Sequence, residues 1–92
     1  MKEARINFND GKKEVYAKIK DYRFEGIRFV LGKGYYIDKE IGGKWTVFET
    51  DIDFDHTTNS LRTGNSWEVF KTKNREKAIE VAKFLAERVE VE

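Results

Sequence analysis

The residues best placed to do chemistry are Asp51, Asp53 and Asp55, carboxylates at alternate positions, followed at once by the chain's one histidine, His56. Alternation along a strand puts all three on one face, where hard oxygen ligands could converge on Mg²⁺ or Ca²⁺. The spacing departs from the EF-hand calcium loop. Counted from Asp51, the sixth position, which needs glycine, is His56, and the twelfth, which needs glutamate, is Arg62. An acidic solvent face that discourages strand-to-strand aggregation accounts for the same residues, so Asp51, Asp53 and Asp55 stand as weak metal candidates and no cofactor is expected. One histidine cannot build a His-based metal cage within the chain, and as a general base it would need Asp53 or Asp55 to orient it. Ser60 and Ser66 sit in no Gly-x-Ser-x-Gly elbow. No catalytic residue is assigned, and the chain reads as a binding or interaction module and not as an enzyme.

Three other constellations could bind without catalysing. Lys12, Tyr16, Lys18, Lys20, Tyr22, Arg23 and Arg28 mix cations with aromatics along the first strands, a combination that can track a nucleic-acid backbone and stack its bases. Glu14 and Asp21 dilute that field, and basic residues on a wet strand face need no ligand. Gly32-Lys33-Gly34 and Gly42-Gly43-Lys44 set glycine beside lysine, but neither follows a Walker or dinucleotide pattern or opens a helix, so hairpin turns account for both. Phe84 lies among Lys77, Glu80 and Arg88, off the apolar stripe of the helix that carries it. It is expected either to pack under the chain before the last strand, the preferred reading, or to anchor a partner together with Lys77 and Arg88.

Composition narrows the classes. Ninety-two residues make one domain over 1–92, and thirteen aromatics supply a core and argue against disorder. Cysteine is absent, which excludes disulfides, thiol catalysis and Cys-based zinc sites and fits a reducing cytoplasm. No segment has the apolar length of a signal peptide or membrane span, so a soluble protein is expected. A net charge of +1 lacks the strong electrostatic footprint of a nucleic-acid binder. Charge is nonetheless uneven, with nine Lys or Arg against five acids in residues 1–35 and two against six in residues 36–60.

The elements that must position these residues follow from the hydrophobic period. It alternates by twos up to about Lys71 and then becomes a helical stripe over residues 78–89, which predicts an α+β fold. The expected architecture is an antiparallel meander of about five or six strands, with one C-terminal helix packed on one face and shielding the sheet's apolar side. Asp10-Gly11 predicts a type I′ hairpin with Phe8 opposite Lys13, Ile6 opposite Val15 and Ala4 opposite Ala17, leaving Arg5, Asn7, Glu14, Tyr16 and Lys18 on the other face. A bend is expected near Asp21, turns at Glu25-Gly26, Gly32-Lys33-Gly34 and Gly42-Gly43, and a long loop over residues 55–65. Phe48, Ile52 and Phe54 should share one strand face, opposite Glu49, Asp51, Asp53 and Asp55. Asn74 should cap the helix.

From Gly43-Lys44-Trp45 through Phe70-Lys71-Thr72-Lys73 to Glu76-Lys77-Ala78-Ile79, the chain looks like the sheet-then-helix pattern of AP2-like and integrase arm-type DNA-binding domains. The same stretch resembles the hairpin-and-helix portion of HicB-like antitoxins. Both likenesses cover about the C-terminal half alone, and the nucleic-acid alternative given below would make the chain an accessory protein of phage or mobile-element type. The leading expectation is a protein partner or self-association. Nucleic acid is the alternative, through the basic aromatic strands, and a metal-dependent site at the acidic strand comes third.

Overall fold

A computed structural model describes residues 2–91 of the chain. Five strands, β1 (Lys2–Asp10), β2 (Lys13–Phe24), β3 (Ile27–Lys39), β4 (Trp45–Asp55) and β5 (Ser60–Thr72), precede one helix, α1 (Arg75–Arg88). The strands pair antiparallel in sequence order as one open sheet, and α1 packs against it, so the α+β meander read from the sequence is the fold observed.

Turn chemistry sets the registers. The first hairpin closes on Gly11-Lys12, with Asp10 paired to Lys13, and only Gly11 (φ 63°) is left-handed, the φ pattern of a type II′ loop. Phe8 therefore faces Val15, Ile6 faces Ala17 and Ala4 faces Ile19, two residues away from the register that an Asp10-Gly11 loop implies. A slip by two preserves which side chains share a face, because the strand period is two. Glu25 (φ 50°) and Gly26 (φ 80°) form the second hairpin with the double positive φ of a type I′ turn.

Three local expectations are corrected. Gly32-Lys33-Gly34 does not break the chain but lies inside β3. A Cβ at Gly32 would come within 2.5 Å of the Lys18 carbonyl oxygen, and one at Gly34 within 2.7 Å of Val15 Cγ1 and 3.0 Å of Ile52 Cδ1. These glycines are where neighbouring strands close in on β3, a contact that any side chain would prevent. Near Asp21, β2 continues without interruption in regular register, and the irregularities fall between β4 and β5, at Val47/Phe48 and Thr50/Ile52. The loop expected over 55–65 shrinks to residues 56–59, since Leu61, Arg62 and Thr63 pair with Phe54, Asp53 and Ile52. The turn is tightened by the Thr57 amide donating to Asp55 Oδ1 (2.9 Å) and by left-handed Asn59.

The sheet is apolar on both faces. On one, Tyr16, Tyr35 and Val47 pack under Ala78, Ala82, Ala86 and Val89, with Trp45, Phe70 and Leu85 at the margins. Three alanines in one stripe let the helix lie close to the tyrosine rings. The opposite face gathers Val15, Ala17, Ile19, Val30, Tyr36 and Ile52, with Ile6, Phe8, Phe48, Phe54 and Leu61 around them. The apolar face of the first hairpin is thus not the one that the helix shields, and Tyr16, expected on the wet side, is buried beneath α1. Coiling of the sheet brings Phe54 and Leu61 into this second core. Asp10 accepts the Thr63 amide (3.0 Å) and the Thr63 hydroxyl, joining β1 to β5, which share no ladder.

Helix α1 begins where Asn74 Oδ1 accepts the amides of Glu76 (2.9 Å) and Lys77 (3.2 Å), as the sequence predicts. Glu76 in the first turn and Arg88 in the last complement the helix dipole.

Candidate interaction surface

Helix and strands differ in length, and that mismatch creates the surface. Fourteen helical residues span roughly 21 Å, whereas the 12 and 13 residues of β2 and β3 span roughly 40 Å. The molecule measures 49 × 26 × 17 Å, so α1 covers about half of the long face on which it lies. Ladder partners share a face, and following them from Tyr16↔Tyr35 through Lys18↔Lys33, Lys20↔Leu31, Tyr22↔Phe29 and Phe24↔Ile27 traces the helix-side face out to the hairpin tip.

On that uncovered half Phe24 is 63% exposed, Ile27 52% and Leu31 46%. The rings of Tyr22 and Phe29 stack at 5.3 Å. Trp67 of β5 faces Glu49 on the same side, and Lys33 Nζ lies 5.1 Å from its ring and 3.2 Å from Glu49 Oε1. Tyr35 donates its hydroxyl to Glu49 Oε2, and burial, reinforced by that bond and by the carboxylate's charge, holds the phenol well above its ordinary pKa. Lys18 (3.7 Å) and Lys20 (4.0 Å) both reach Glu3. The patch is an apolar and aromatic strip with partly neutralised lysines along one side.

The strip also has an open backbone edge. The β3–β4 ladder ends at Lys33↔Asp51, after which β4 follows β5 alone, so residues 27–32 of β3 lie beyond the last β4 pair.

The residues singled out in the sequence are dispersed. Of the basic and aromatic set, Lys18, Lys20 and Tyr22 lie on the uncovered strip, and Lys12 is in the first turn. Tyr16 is under the helix, while Arg23 and Arg28 point to the opposite face. There Arg28 binds Asp21 (2.7 Å) and lies 5.1 Å over the Phe54 ring. Lys77, Phe84 and Arg88 do share a stripe, being seven and four residues apart on the solvent side of α1. Phe84 does not gain the internal cover expected of it; it is 53% exposed, with the Arg88 guanidinium 5.3 Å from its ring.

Asp51, Asp53 and Asp55 occupy one face of β4, opposite Phe48, Ile52 and Phe54 as expected. Arg62 approaches Asp55 (3.8 Å), whose pKa is lowered chiefly by the Thr57 amide. Among the described residues no three His, Asp or Glu side chains converge in a way that could hold a metal ion. His56 packs edge-on against Phe54 at 5.0 Å, and the Ser60 hydroxyl bonds to that of Thr58 (2.7 Å). No described helix is long and apolar enough to cross a membrane.

Sequence reasoning passed over Phe24, Ile27, Phe29, Leu31 and Trp67. The signal was present in Tyr22-Arg23-Phe24 and Ile27-Arg28-Phe29-Val30-Leu31, where apolar residues continue at alternate positions on the face opposite Val15, Ala17 and Ile19. A hairpin apolar on both faces needs two covers, and one short helix supplies only part of one. The chain matches no family model, no curated protein and no solved structure.

Proposed function

We propose that the chain is a non-catalytic interaction module that binds another polypeptide through the uncovered half of its helix-side face. The observation that carries this reading is the continuous exposed strip of Phe24, Ile27 and Leu31 beside the stacked Tyr22–Phe29 pair. Large apolar side chains gathered on one exposed face mark association surfaces more often than isolated ones do. The stripe of Lys77, Phe84 and Arg88 is a second, smaller contact available to the same partner.

The test is comparative capture. Immobilised wild-type protein should retain a polypeptide that the Phe24→Ser/Leu31→Ser double variant releases, with both proteins showing the same helical circular dichroism. Footprinting of the captured complex by hydrogen exchange should place new protection in residues 22–31. Equal capture by both proteins, or protection confined elsewhere, would remove the reading. Nucleic acid remains the alternative through Lys18, Lys20 and Tyr22, which the fold keeps on one strip. That mode requires an affinity for single-stranded RNA or DNA that falls steeply with salt and is lost in Lys18→Ala/Lys20→Ala.

A further inference from the structure

The partner of this surface can be identified from the strand edge beneath it. Residues 27–32 extend past the β4 ladder with the sequence Ile-Arg-Phe-Val-Leu-Gly, β-prone, free of proline and carrying one charge. Natural edge strands are usually guarded by charge, proline or bulges. In this chain the outermost strands follow that rule: β1 carries Glu3, Arg5 and Asp10, and β5 carries Arg62, Glu68 and Lys71. The 27–32 segment is the unguarded stretch. Among the described residues no loop backbone bond reaches it, although Glu90 and Val91 pass beside Leu31 and Lys33.

We propose that this edge pairs antiparallel with the same edge of a second copy of the chain, around a two-fold axis at Phe29, joining two five-stranded sheets into one. The proposal rests on the interaction-module reading above and names its partner. Self-complementarity selects both the occupant and the register. With the axis at Phe29, Ile27 meets Leu31 of the second copy, so the exposed apolar residues cover one another on the helix-side face. Arg28 meets Val30, and the pairing ends with Gly26 opposite Gly32, one residue short of Lys33, whose edge Asp51 of β4 occupies. An axis one residue earlier would oppose Arg28 to Arg28. An axis between two residues would merge the helix-side face of one copy with the opposite face of the other and break the apolar strip. A net charge of +1 leaves little general repulsion between copies. Ile27 and Leu31, 52% and 46% exposed, flank the paired edge, whereas Phe24 lies one strand away on β2, so the buried area stays below the ~1,000 Å² at which specific association begins and the paired backbones carry much of the contact. The dimer should therefore be weak and concentration-dependent.

Sedimentation equilibrium across a wide concentration range tests this directly. Wild type should pass from monomer to dimer, and Ile27→Lys/Leu31→Lys and Ile27→Glu/Leu31→Glu should each raise the midpoint at least tenfold. An equimolar mixture of the two variants should associate again, because lysine and glutamate then oppose each other at both positions. Phe29→Cys, in a chain that otherwise lacks cysteine, should oxidise to a disulfide-linked dimer, since a residue on the axis faces its own copy at about 4.5–5.5 Å between Cβ atoms. Lys12→Cys should not. A monomer at every concentration, or a dimer indifferent to both charge variants, overturns the second copy as partner. If the wild type stays monomeric yet still captures a polypeptide that Phe24→Ser/Leu31→Ser releases, the pairing fails while the interaction module stands.

Discussion

Asp10 and Thr63, 53 positions apart, are joined by two hydrogen bonds to one carboxylate oxygen, from the Thr63 amide and from its hydroxyl. This contact connects the end of the first strand to the last strand. It lies at the margin of the second core, where Val15, Ala17, Ile19 and Ile52 are enclosed on the side away from the helix.

The clasp makes the fold sensitive to acid. The two Thr63 bonds lower the Asp10 pKa, so Asp10 contributes stability that is present above its unfolded pKa and lost as pH falls through the folded value. Asp10→Ala should cost about 1 kcal/mol at neutral pH, near the low end for hydrogen bonds to a charged group because solvent reaches the carboxylate. Urea unfolding followed from neutral pH down to about pH 2 should show a smaller loss of stability in Asp10→Ala than in wild type. Parallel pH profiles would show that the clasp does not form.

Close approach at the β3 glycines should make them intolerant of side chains. Gly34→Ala would place its Cβ against Val15, Ile52 and Ala17 and should cost about 1–3 kcal/mol by overpacking. Gly32→Ala meets the Lys18 carbonyl oxygen, a backbone atom that cannot rotate away, and should cost more. Chemical denaturation ranks the two, and a smaller effect at Gly32 than at Gly34 would contradict the geometry.

Tyr35 should titrate late. Burial and its bond to Glu49 raise the folded phenol's pKa, so its contribution to stability is complete below the unfolded tyrosine value and is lost as pH rises through the folded one. Ultraviolet titration of phenolate should lose its most alkaline component in Tyr35→Phe while keeping the others. An unchanged titration curve would place Tyr35 outside the core.

Removing the helix cap tests how much α1 depends on its own sequence. Asn74→Ala deletes the acceptor for the Glu76 and Lys77 amides and should cost about 1 kcal/mol, lowering the melting temperature by roughly 4–8 °C in a domain of this size. Circular dichroism at the helical band gives the readout, and a shift below one degree would show that packing of Ala78, Ala82 and Ala86 alone holds the helix end.

Much of the local organisation was legible. The change of period near Lys71 separated strands from helix, Glu25-Gly26 announced its turn, and Phe48, Ile52 and Phe54 fell opposite the acidic residues as alternation requires. Errors arose where a residue type has more than one use. Gly32 and Gly34 resemble turn glycines, yet their missing side chains serve a close approach inside a strand. The Thr-, Asn- and Ser-rich stretch after Asp55 resembles a loop, yet from Ser60 onward those side chains sit on a strand. Phe84 was expected to find internal cover, but among the described residues none folds over it and it stays half exposed.

The sequence by itself determined the element order, the side chains that share each strand face, and the helix start at Asn74, because turn preferences, a period of two and end-capping act over a few residues. Tertiary structure alone decided that α1 lies over Tyr16 and Tyr35, that the opposite face closes on itself, and that Phe24, Ile27 and Leu31 are left uncovered. Alternation gives this sheet two apolar faces of comparable character. Which one receives the helix is decided by packing between distant segments, α1 on Tyr16, Tyr35 and Val47, and a helix shorter than the strands beneath it leaves the strip open.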